Sequence, residues 1–275
     1  MSQVVERIIE DWPTKASVTR WHPTFKTADG YDYPLSTLPV DQDELMSLPE
    51  KTKQSLSLSL WIQYNRRTID AEEYIANPAI DWLLREGNLS EELNTALMQT
   101  AVDERFHTYF HTLALKDALS RNSVQSEFTR SVTVRELLGR LDQCNEQWQR
   151  RFVQLAYAAV AEVSVNAFLE ILSTSKEIQK SNRELVHMHN LDEWSHSSVF
   201  IYVVEYLINT LAPHKSEFFI TEIKYASQSF LKHDFSMYEN VFRAHGIKLV
   251  LKRSNSMMTR DMSGIDRLVG RLGIT

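Results

Sequence analysis

The feature that most constrains the fold of this chain is a five-residue signature that occurs twice. Residues 103–107 and residues 192–196 both follow the pattern Asp-Glu-x-x-His. On an α-helix, a Glu and a His three residues apart lie on one face, one turn from each other. Each copy then presents a carboxylate and an imidazole to the same point. The repeat therefore predicts two helices that face each other across a polar centre.

The composition supports long helices. The 275 residues include only 7 glycines and 7 prolines, so few residues interrupt a helix. Five of the prolines fall within the first fifty residues, which indicates an irregular segment there. We predict an all-α protein with a four-helix bundle core and additional helices. The predicted single domain, 1–275, has an irregular extension over 1–54, a ligand-bearing bundle over 55–211, and further helices and a tail over 212–275.

Apolar residues with a helical period give approximate boundaries for the bundle. After at most a short helix near residues 2–11, the pattern predicts helices over 55–76, 80–85, 90–120, 134–141, 145–173 and 175–211, and one or two more within 217–245. We expect the dipeptide at 77–78, Asn-Pro, to end the helix over 55–76, and Pro213 to end the helix over 175–211. A bend near Ser181 and Asn182 is also expected.

Charge and cysteine content exclude several classes of function. The net charge of −6, with only a mild basic tract over 252–271, gives no reason to expect a nucleic-acid partner. Cys144 is the single cysteine, which excludes an intrachain disulfide and a thiolate metal cluster. The charged N-terminus lacks a signal core, and no run approaches about 18 apolar residues. We therefore expect a cytoplasmic protein that does not span a membrane.

Several acidic residues and histidines lie on helix faces that are otherwise apolar. Glu162, for example, stands in a nearly apolar segment, 155–163, where a carboxylate is costly unless it is paired or bound to metal. Two inward-facing Glu-x-x-His pairs, with a lone Glu from each of two further helices, form the dimetal site of ferritin-like bundles. The predicted ligands are Glu72, Glu104, His107, Glu162, His189, Glu193 and His196.

Two of these ligands have alternatives. His189, Glu193 and His196 are spaced i, i+4 and i+7, so one helix face can offer three ligands. His189 is otherwise a core histidine or one that supports a ligand. Glu72 and Glu73 are adjacent, so only one of them can face inward. Glu72 lies on the less solvated of the two helix faces, which favours it as the ligand.

The aspartates of the repeated signature are candidates for orienting the histidines. Asp103 and Asp192 stand four residues before His107 and His196, within reach of the second nitrogen of a metal-bound imidazole. The alternative is that both aspartates are exposed. We interpret the histidines at 22, 111 and 187 as bystanders.

The donor types indicate the metal. Carboxylates and imidazoles both suit iron, and a mixed set leaves coordination positions open for dioxygen. We therefore expect two iron ions, with dioxygen as a co-substrate.

The complete ligand set resembles that of the p-aminobenzoate N-oxygenase (AurF-like) family of non-haem diiron oxygenases. That family has an additional histidine on its last ligand helix, where His189 falls. Residues 68–73 and the Asn-Pro at 77–78 also resemble the family's first ligand helix, which favours Glu72. The resemblance covers about residues 55–210.

The resemblance implies a reaction and partners. It implies oxidation of an amine nitrogen to a hydroxylamine, and in some members to nitroso or nitro products, in natural-product biosynthesis. The amine is a small molecule, either free or bound to a carrier protein. An external reductase or ferredoxin is expected to supply electrons, because no Gly-x-Gly-x-x-Gly motif follows a strand. Whether the protein forms a homodimer is left open.

Other functions are compatible with the same scaffold. They are a diiron carbon hydroxylase or desaturase, and a non-catalytic iron-binding bundle; the third histidine favours the N-oxygenase. Neither an aryl amine nor an amine derived from an amino acid is excluded as substrate. Several residues can line a pocket or meet a substrate carboxylate, but ordinary core positions for the aromatic residues and solvated positions for the arginines are the more common explanation. They are Phe106, Tyr109, Tyr157, Trp194, Phe200, Arg66, Arg67 and Arg105.

Overall fold

The fold is known from a computed structural model, which describes residues 3–25, 30–252 and 263–271. Its helices, in chain order, are α1 (Gln3–Lys15), α2 (Ser17–Arg20), α3 (Gln42–Met46), α4 (Glu50–Ala71), α5 (Asn77–Glu86), α6 (Glu91–Arg121), α7 (Val132–Asp142), α8 (Gln147–Ser164), α9 (Asn166–Thr174), α10 (Lys180–Thr210), α11 (Pro213–Leu231), α12 (Ser236–Ala244) and α13 (Ser263–Arg271). A 3₁₀ turn covers Leu35–Thr37, and a π-helical turn covers Glu72–Ala76. No strand forms within these residues, and the predicted all-α bundle is confirmed.

Helices α4, α6, α8 and α10 form the centre of the bundle. Two apolar clusters occupy its interior, and the buried polar residues of α6 and α10 lie between them. On α6, Leu97 belongs to one cluster and Phe110 to the other; on α10, Phe200 and Leu185 do the same. The polar residues are therefore enclosed by apolar packing on both sides, which keeps them away from water.

The first ligand-bearing helix does not end at Asn77 and Pro78, so that prediction is wrong. The helical chain continues from α4 through the π turn into α5, with Pro78 in the first turn of α5. Proline is tolerated there because the first turn of a helix has no partner for its N–H groups. The π turn begins at Glu72, and such insertions are frequent at functional sites.

The two Glu-x-x-His helices begin and end close to their predicted bounds. Ser90 accepts a hydrogen bond from the Leu93 amide and caps α6, as its position predicts. Helix α10 begins at Lys180, so Ser181 and Asn182 lie in its first turn rather than at a bend. Helix α10 ends at Thr210, one residue before its predicted end, and Pro213 begins α11.

The long helix predicted over 145–173 is divided into α8 and α9. The break follows Ser164, whose hydroxyl donates 2.6 Å to the Val160 carbonyl and competes with the backbone ladder. By length and composition, Gln147–Thr174 is the one described helical segment that is apolar enough to cross a membrane. Because 56% of the apolar window is buried inside the bundle, it has the properties of a core helix.

The N-terminal segment is more ordered than predicted. Helix α1 extends to Lys15, past Pro13, and α4 begins at Glu50 rather than at residue 55. Val5 of α1 is buried, and α1 packs against both α6 and α10, so tertiary contacts override the low helix propensity of proline. Of the predicted C-terminal tail, residues 263–271 form α13, and residues 253–262 and 272–275 lie outside the described residues.

Candidate metal centre

Seven buried carboxylate and imidazole side chains meet at the middle of the bundle. They are all of the predicted ligands: Glu72, Glu104, His107, Glu162, His189, Glu193 and His196. Glu72 points inward and is 7% exposed, whereas Glu73 is exposed and lies 3.6 Å from Arg105. The π turn, α6, α8 and α10 thus contribute donors to one cluster.

Short contacts connect the seven side chains. Glu104 lies centrally, with Oε1 2.8 Å from His196 Nδ1 and Oε2 3.3 Å from His107 Nδ1. Glu193 Oε1 lies 3.4 Å from His107 Nδ1 and 3.0 Å from His189 Nε2. At the edges, Glu72 Oε1 lies 3.7 Å from His189 Nε2, and Glu162 Oε2 lies 3.7 Å from His196 Nδ1.

Many of these inward atoms lie close to one another but form no hydrogen bond among the described residues. They are both carboxylate oxygens of Glu104, one oxygen each of Glu162 and Glu193, and Nδ1 of His107 and of His196. Buried polar atoms are normally satisfied, so a group of unsatisfied lone pairs aimed at shared points suits bound cations. The residues present therefore fit a metal centre.

The donor set suits two ions better than one. Ligand atoms within 4.8 Å of one another form two groups that share His107: one with Glu104, Glu193 and His196, the other with Glu72 and His189. Seven donor residues exceed the roughly six positions of an octahedral ion. Four carboxylates would also balance two divalent cations in charge.

The electrostatics of the metal-free cluster follow from burial and mutual contact. Burial, together with the neighbouring glutamates, raises the pKa of Glu72 and of Glu162 well above the usual value. Burial opposes the charge on His107, but Glu104 and Asp192 raise its pKa to about 10. Protons on Glu72, Glu162, His107 and His196 thus take the place of cations.

The two aspartates of the repeated signature contact the histidines, but across the helices rather than within them. Asp192 of α10 lies 3.0 Å from His107 Nε2 of α6, and Asp103 of α6 lies 3.2 Å from His196 Nε2 of α10. The same-helix geometry expected from the i−4 spacing is therefore wrong. Both aspartates are buried, contrary to the exposed alternative.

Residues of the N-terminal helices, which the sequence pattern did not predict, in turn donate hydrogen bonds to these aspartates. The Ser17 amide and hydroxyl donate to Asp192 at 3.0 and 2.5 Å, and Trp12 Nε1 donates to Asp103 at 2.9 Å. Burial raises the pKa of Asp103. Burial also acts to raise the pKa of Asp192, but His107, His196 and Ser17 outweigh it, so the pKa of Asp192 is lowered.

His111 is a second missed residue, because we interpreted it as a bystander. It is fully buried, with Nε2 3.0 Å from His189 Nδ1 and Nδ1 2.8 Å from Asn65 Oδ1. Burial lowers its pKa well below the usual value. The signal was present: His111 stands one turn after His107, on the face that carries the ligands. His22 and His187 are exposed.

The residues named for a substrate pocket are dispersed. Tyr157 and Phe200 are buried in the core, whereas Tyr109 and Trp194 are more than half exposed. Phe106 packs against the Trp21 ring with centroids 6.3 Å apart. The arginines lie elsewhere: Arg66 over the Phe128 ring, Arg67 3.4 Å from Asp234, and Arg105 between Glu73 and Asp81.

Comparison with known proteins identifies relatives of this arrangement. The family model described as p-aminobenzoate N-oxygenase AurF matches residues 2–261. A curated 4-aminobenzoate N-oxygenase of Streptomyces thioluteus is 29% identical over 292 residues, which cover 99% of this chain and 87% of the relative. AurF proteins are diiron oxygenases, in agreement with the buried Glu and His cluster.

These matches favour amine N-oxygenation over carbon oxidation or simple iron binding, so the protein is an enzyme, an oxidoreductase of the monooxygenase class. Its substrate is a small molecule that carries an amine. By the match over nearly its whole length, the chain belongs to the p-aminobenzoate N-oxygenase AurF family.

Proposed function

We propose that this protein binds two iron ions and uses dioxygen to oxidise the nitrogen of an aryl amine of the 4-aminobenzoate class. The observation that carries the proposal is the convergence of seven buried donors, five of which have inward atoms that form no hydrogen bond among the described residues. The name of the Streptomyces thioluteus relative supports the choice of substrate class.

In this proposal the ligands are Glu72, Glu104, His107, Glu162, His189, Glu193 and His196. When bound, the two ferrous ions supply electrons and open coordination positions for the reduction of dioxygen and the transfer of one oxygen atom to the amine nitrogen. The balance is one amine, one dioxygen, two electrons and two protons, giving one hydroxylamine and one water. Repetition on the same nitrogen leads to the nitroso and nitro levels.

The protein itself binds the metal ions, orients the imidazole ligands and encloses the centre away from water. Asp192 and Asp103 hold the distal nitrogens of His107 and His196, so both imidazoles turn Nδ1 inward. The apolar clusters on both sides of the centre exclude water, which protects reactive species from side reactions.

The whole chain, 1–275, serves this centre as one domain in the proposal. Helices α1 and α2 contact the two aspartates, and α13 packs on α8 beside Glu162. We also predict an external electron donor, a role in a natural-product pathway and a cytoplasmic location. The proposal leaves open whether the substrate is bound to a carrier protein and whether the protein forms a homodimer.

A direct test combines iron analysis with product analysis. The ferrous protein and a chemical reductant are mixed with ¹⁸O₂ and 4-aminobenzoate, with amino acid amines as the comparison panel. We expect about two irons per chain and ¹⁸O on the nitrogen of the aryl amine. Oxygen consumption without any N-oxygenated product across the panel would contradict the proposal.

Variants test the ligand assignment separately. Glu72→Gln should lower iron content and abolish turnover, whereas Glu73→Gln, its exposed neighbour, should retain both. His189→Ala should lose activity while keeping the helical fold. Full iron content and turnover in His189→Ala would show that the third histidine is not a ligand.

A further inference from the structure

A chain of hydrogen bonds connects the backbone of α4 to His189. Asn65 Nδ2 donates 2.7 Å to the Trp61 carbonyl, and Asn65 Oδ1 lies 2.8 Å from His111 Nδ1. His111 Nε2 lies 3.0 Å from His189 Nδ1, and His189 Nε2 faces Glu193 and Glu72 in the cluster. The three side chains linked by these hydrogen bonds, Asn65, His111 and His189, are all buried.

The backbone carbonyl sets the direction of every bond in this chain. A carbonyl can only accept, so the amide NH₂ of Asn65 faces Trp61 and its Oδ1 faces His111. His111 must then carry its proton on Nδ1. A neutral imidazole has one N–H, so His111 Nε2 accepts a proton from His189 Nδ1. In a neutral His189 that arrangement places the lone pair on Nε2, the nitrogen that lies 3.0 Å from Glu193 Oε1 in the cluster.

A doubly protonated His111 would reverse the last bond, but its surroundings disfavour the cation. His111 is packed between the rings of Tyr64 and Phe110, with centroids 5.7 and 4.9 Å away. In the part of the chain that the structure describes, its hydrogen bonds go to Asn65 and His189, not to a carboxylate. A buried cation without a counter-charge is unfavourable.

We infer that Asn65 and His111 are positioning residues that hold His189 in its Nδ1-protonated tautomer and so present Nε2 to the metal centre. The inference rests on the proposed ligand role of His189. It also distinguishes the three histidines: His107 and His196 are oriented by carboxylates through Nε2, whereas His189 is oriented by a neutral imidazole through Nδ1. Imidazole ligands are generally fixed by such partners.

The first test measures the tautomer directly. Nitrogen NMR of the metal-free full-length protein, labelled with ¹⁵N-histidine, distinguishes the two tautomers and the cation, and the signal missing from His189→Ala assigns the residue. Near neutral pH we expect His189 to carry its proton on Nδ1. A proton on Nε2 alone would overturn the inference; a second proton on Nε2, donated to Glu193, leaves the Nδ1–H that the inference requires. The result does not depend on iron binding or on activity.

The second test asks whether the hydrogen bonds from Asn65 to His189 affect iron binding and turnover. In His111→Gln, the amide can still accept from His189 and donate to Asn65, whereas His111→Leu removes the acceptor. We expect His111→Leu to lower iron affinity by about 10- to 100-fold in a chelator competition, with kcat reduced more than KM is changed. His111→Gln should recover most of both, and His187→Leu, an exposed control on α10, should match the unmodified protein.

The outcomes separate this inference from the proposed function. If His189→Ala keeps its iron affinity, the ligand assignment fails. If His189→Ala loses iron but His111→Leu behaves as the unmodified protein, only the positioning role fails. If His111→Leu does not fold, the NMR measurement on the unmodified protein decides.

Discussion

His107 Nε2 lies 3.0 Å from Asp192 Oδ2 of the facing helix, and not within hydrogen-bond reach of Asp103 on its own helix. The reason is the shape of the imidazole: its near nitrogen, Nδ1, faces Glu104 one turn back, so the distal Nε2 extends across to α10. His196 and Asp103 repeat this relationship in the other direction. The two copies of the signature are therefore one interlocked unit.

The crossed contacts predict that each aspartate supports the histidine of the other helix. Asp192→Asn removes the charge that orients His107, and we expect iron affinity to fall by about 10- to 100-fold with little loss of helix content. Asp103→Asn should act in the same direction through His196. Chelator competition and circular dichroism are the measurements.

Glu184→Gln, an exposed change of the same chemistry on α10, provides the control for Asp192→Asn. If the aspartate variants and this control retain iron equally, the crossed contacts do not orient the ligands.

The sequence predicted the ligand set but not its supporting partners, for a physical reason. Ligand spacing within α6 and α10 follows from helix geometry alone. Contacts between helices depend on how the helices pack, which a periodic pattern does not encode. Trp12 and Ser17 meet Asp103 and Asp192 from positions 91 and 175 residues away.

The same limit explains the fold errors. The sequence predicts that Pro13 and Pro78 interrupt helices because the local preference of proline against the helix interior is strong. Helix α1 nevertheless continues past Pro13 because Val5 is buried against the bundle, and Pro78 is accommodated because it lies in the first turn of α5. The boundary at Ser90 was correct because a capping side chain acts on its own helix.

The N-terminal helices predict unequal effects for their two contacts. Ser17 donates twice to Asp192, which also accepts from His107, whereas Trp12 donates once to Asp103. We expect Ser17→Ala to reduce iron retention more than Trp12→Phe, and each to reduce stability by about 1 kcal/mol. Urea unfolding of the iron-loaded and metal-free forms measures both effects.

Trp194→Phe makes the same change as Trp12→Phe at a side chain that is 60% exposed, and should have no effect. Equal iron retention in Ser17→Ala, Trp12→Phe and Trp194→Phe would show that the N-terminal segment does not support the centre.

Two glycines of α13 predict effects of opposite sign. A Cβ on Gly264 would lie 1.6 Å from the Val163 carbonyl oxygen of α8, directly after Glu162, so Gly264→Ala must displace α13. We expect it to lower the free energy of unfolding by about 1–3 kcal/mol and to weaken iron retention. A Cβ on Gly270 meets no described atom within 4 Å. Gly270→Ala should therefore be neutral or stabilising by up to about 1 kcal/mol. Equal stability of the two variants in urea would contradict close packing of α13 on α8.

The protons held by the metal-free cluster predict an unusual dependence of stability on pH. The pKa of His107, raised to about 10 from 6.5, means that the folded state holds a proton that the unfolded state releases near neutrality. This contribution is fully present below pH 6.5 and is lost as the pH rises toward 10. Its sign is shared by His196, Glu72 and Glu162, whose pKa values are also raised.

The melting temperature of the metal-free protein should accordingly fall between pH 6.5 and 9. In the iron-loaded protein the metal ions replace these protons, so the same pH change should lower the melting temperature much less. Differential scanning fluorimetry of the two forms in matched buffers measures the difference. Parallel pH profiles would show that the cluster does not hold protons in place of metal, since all other ionisable groups are common to both forms.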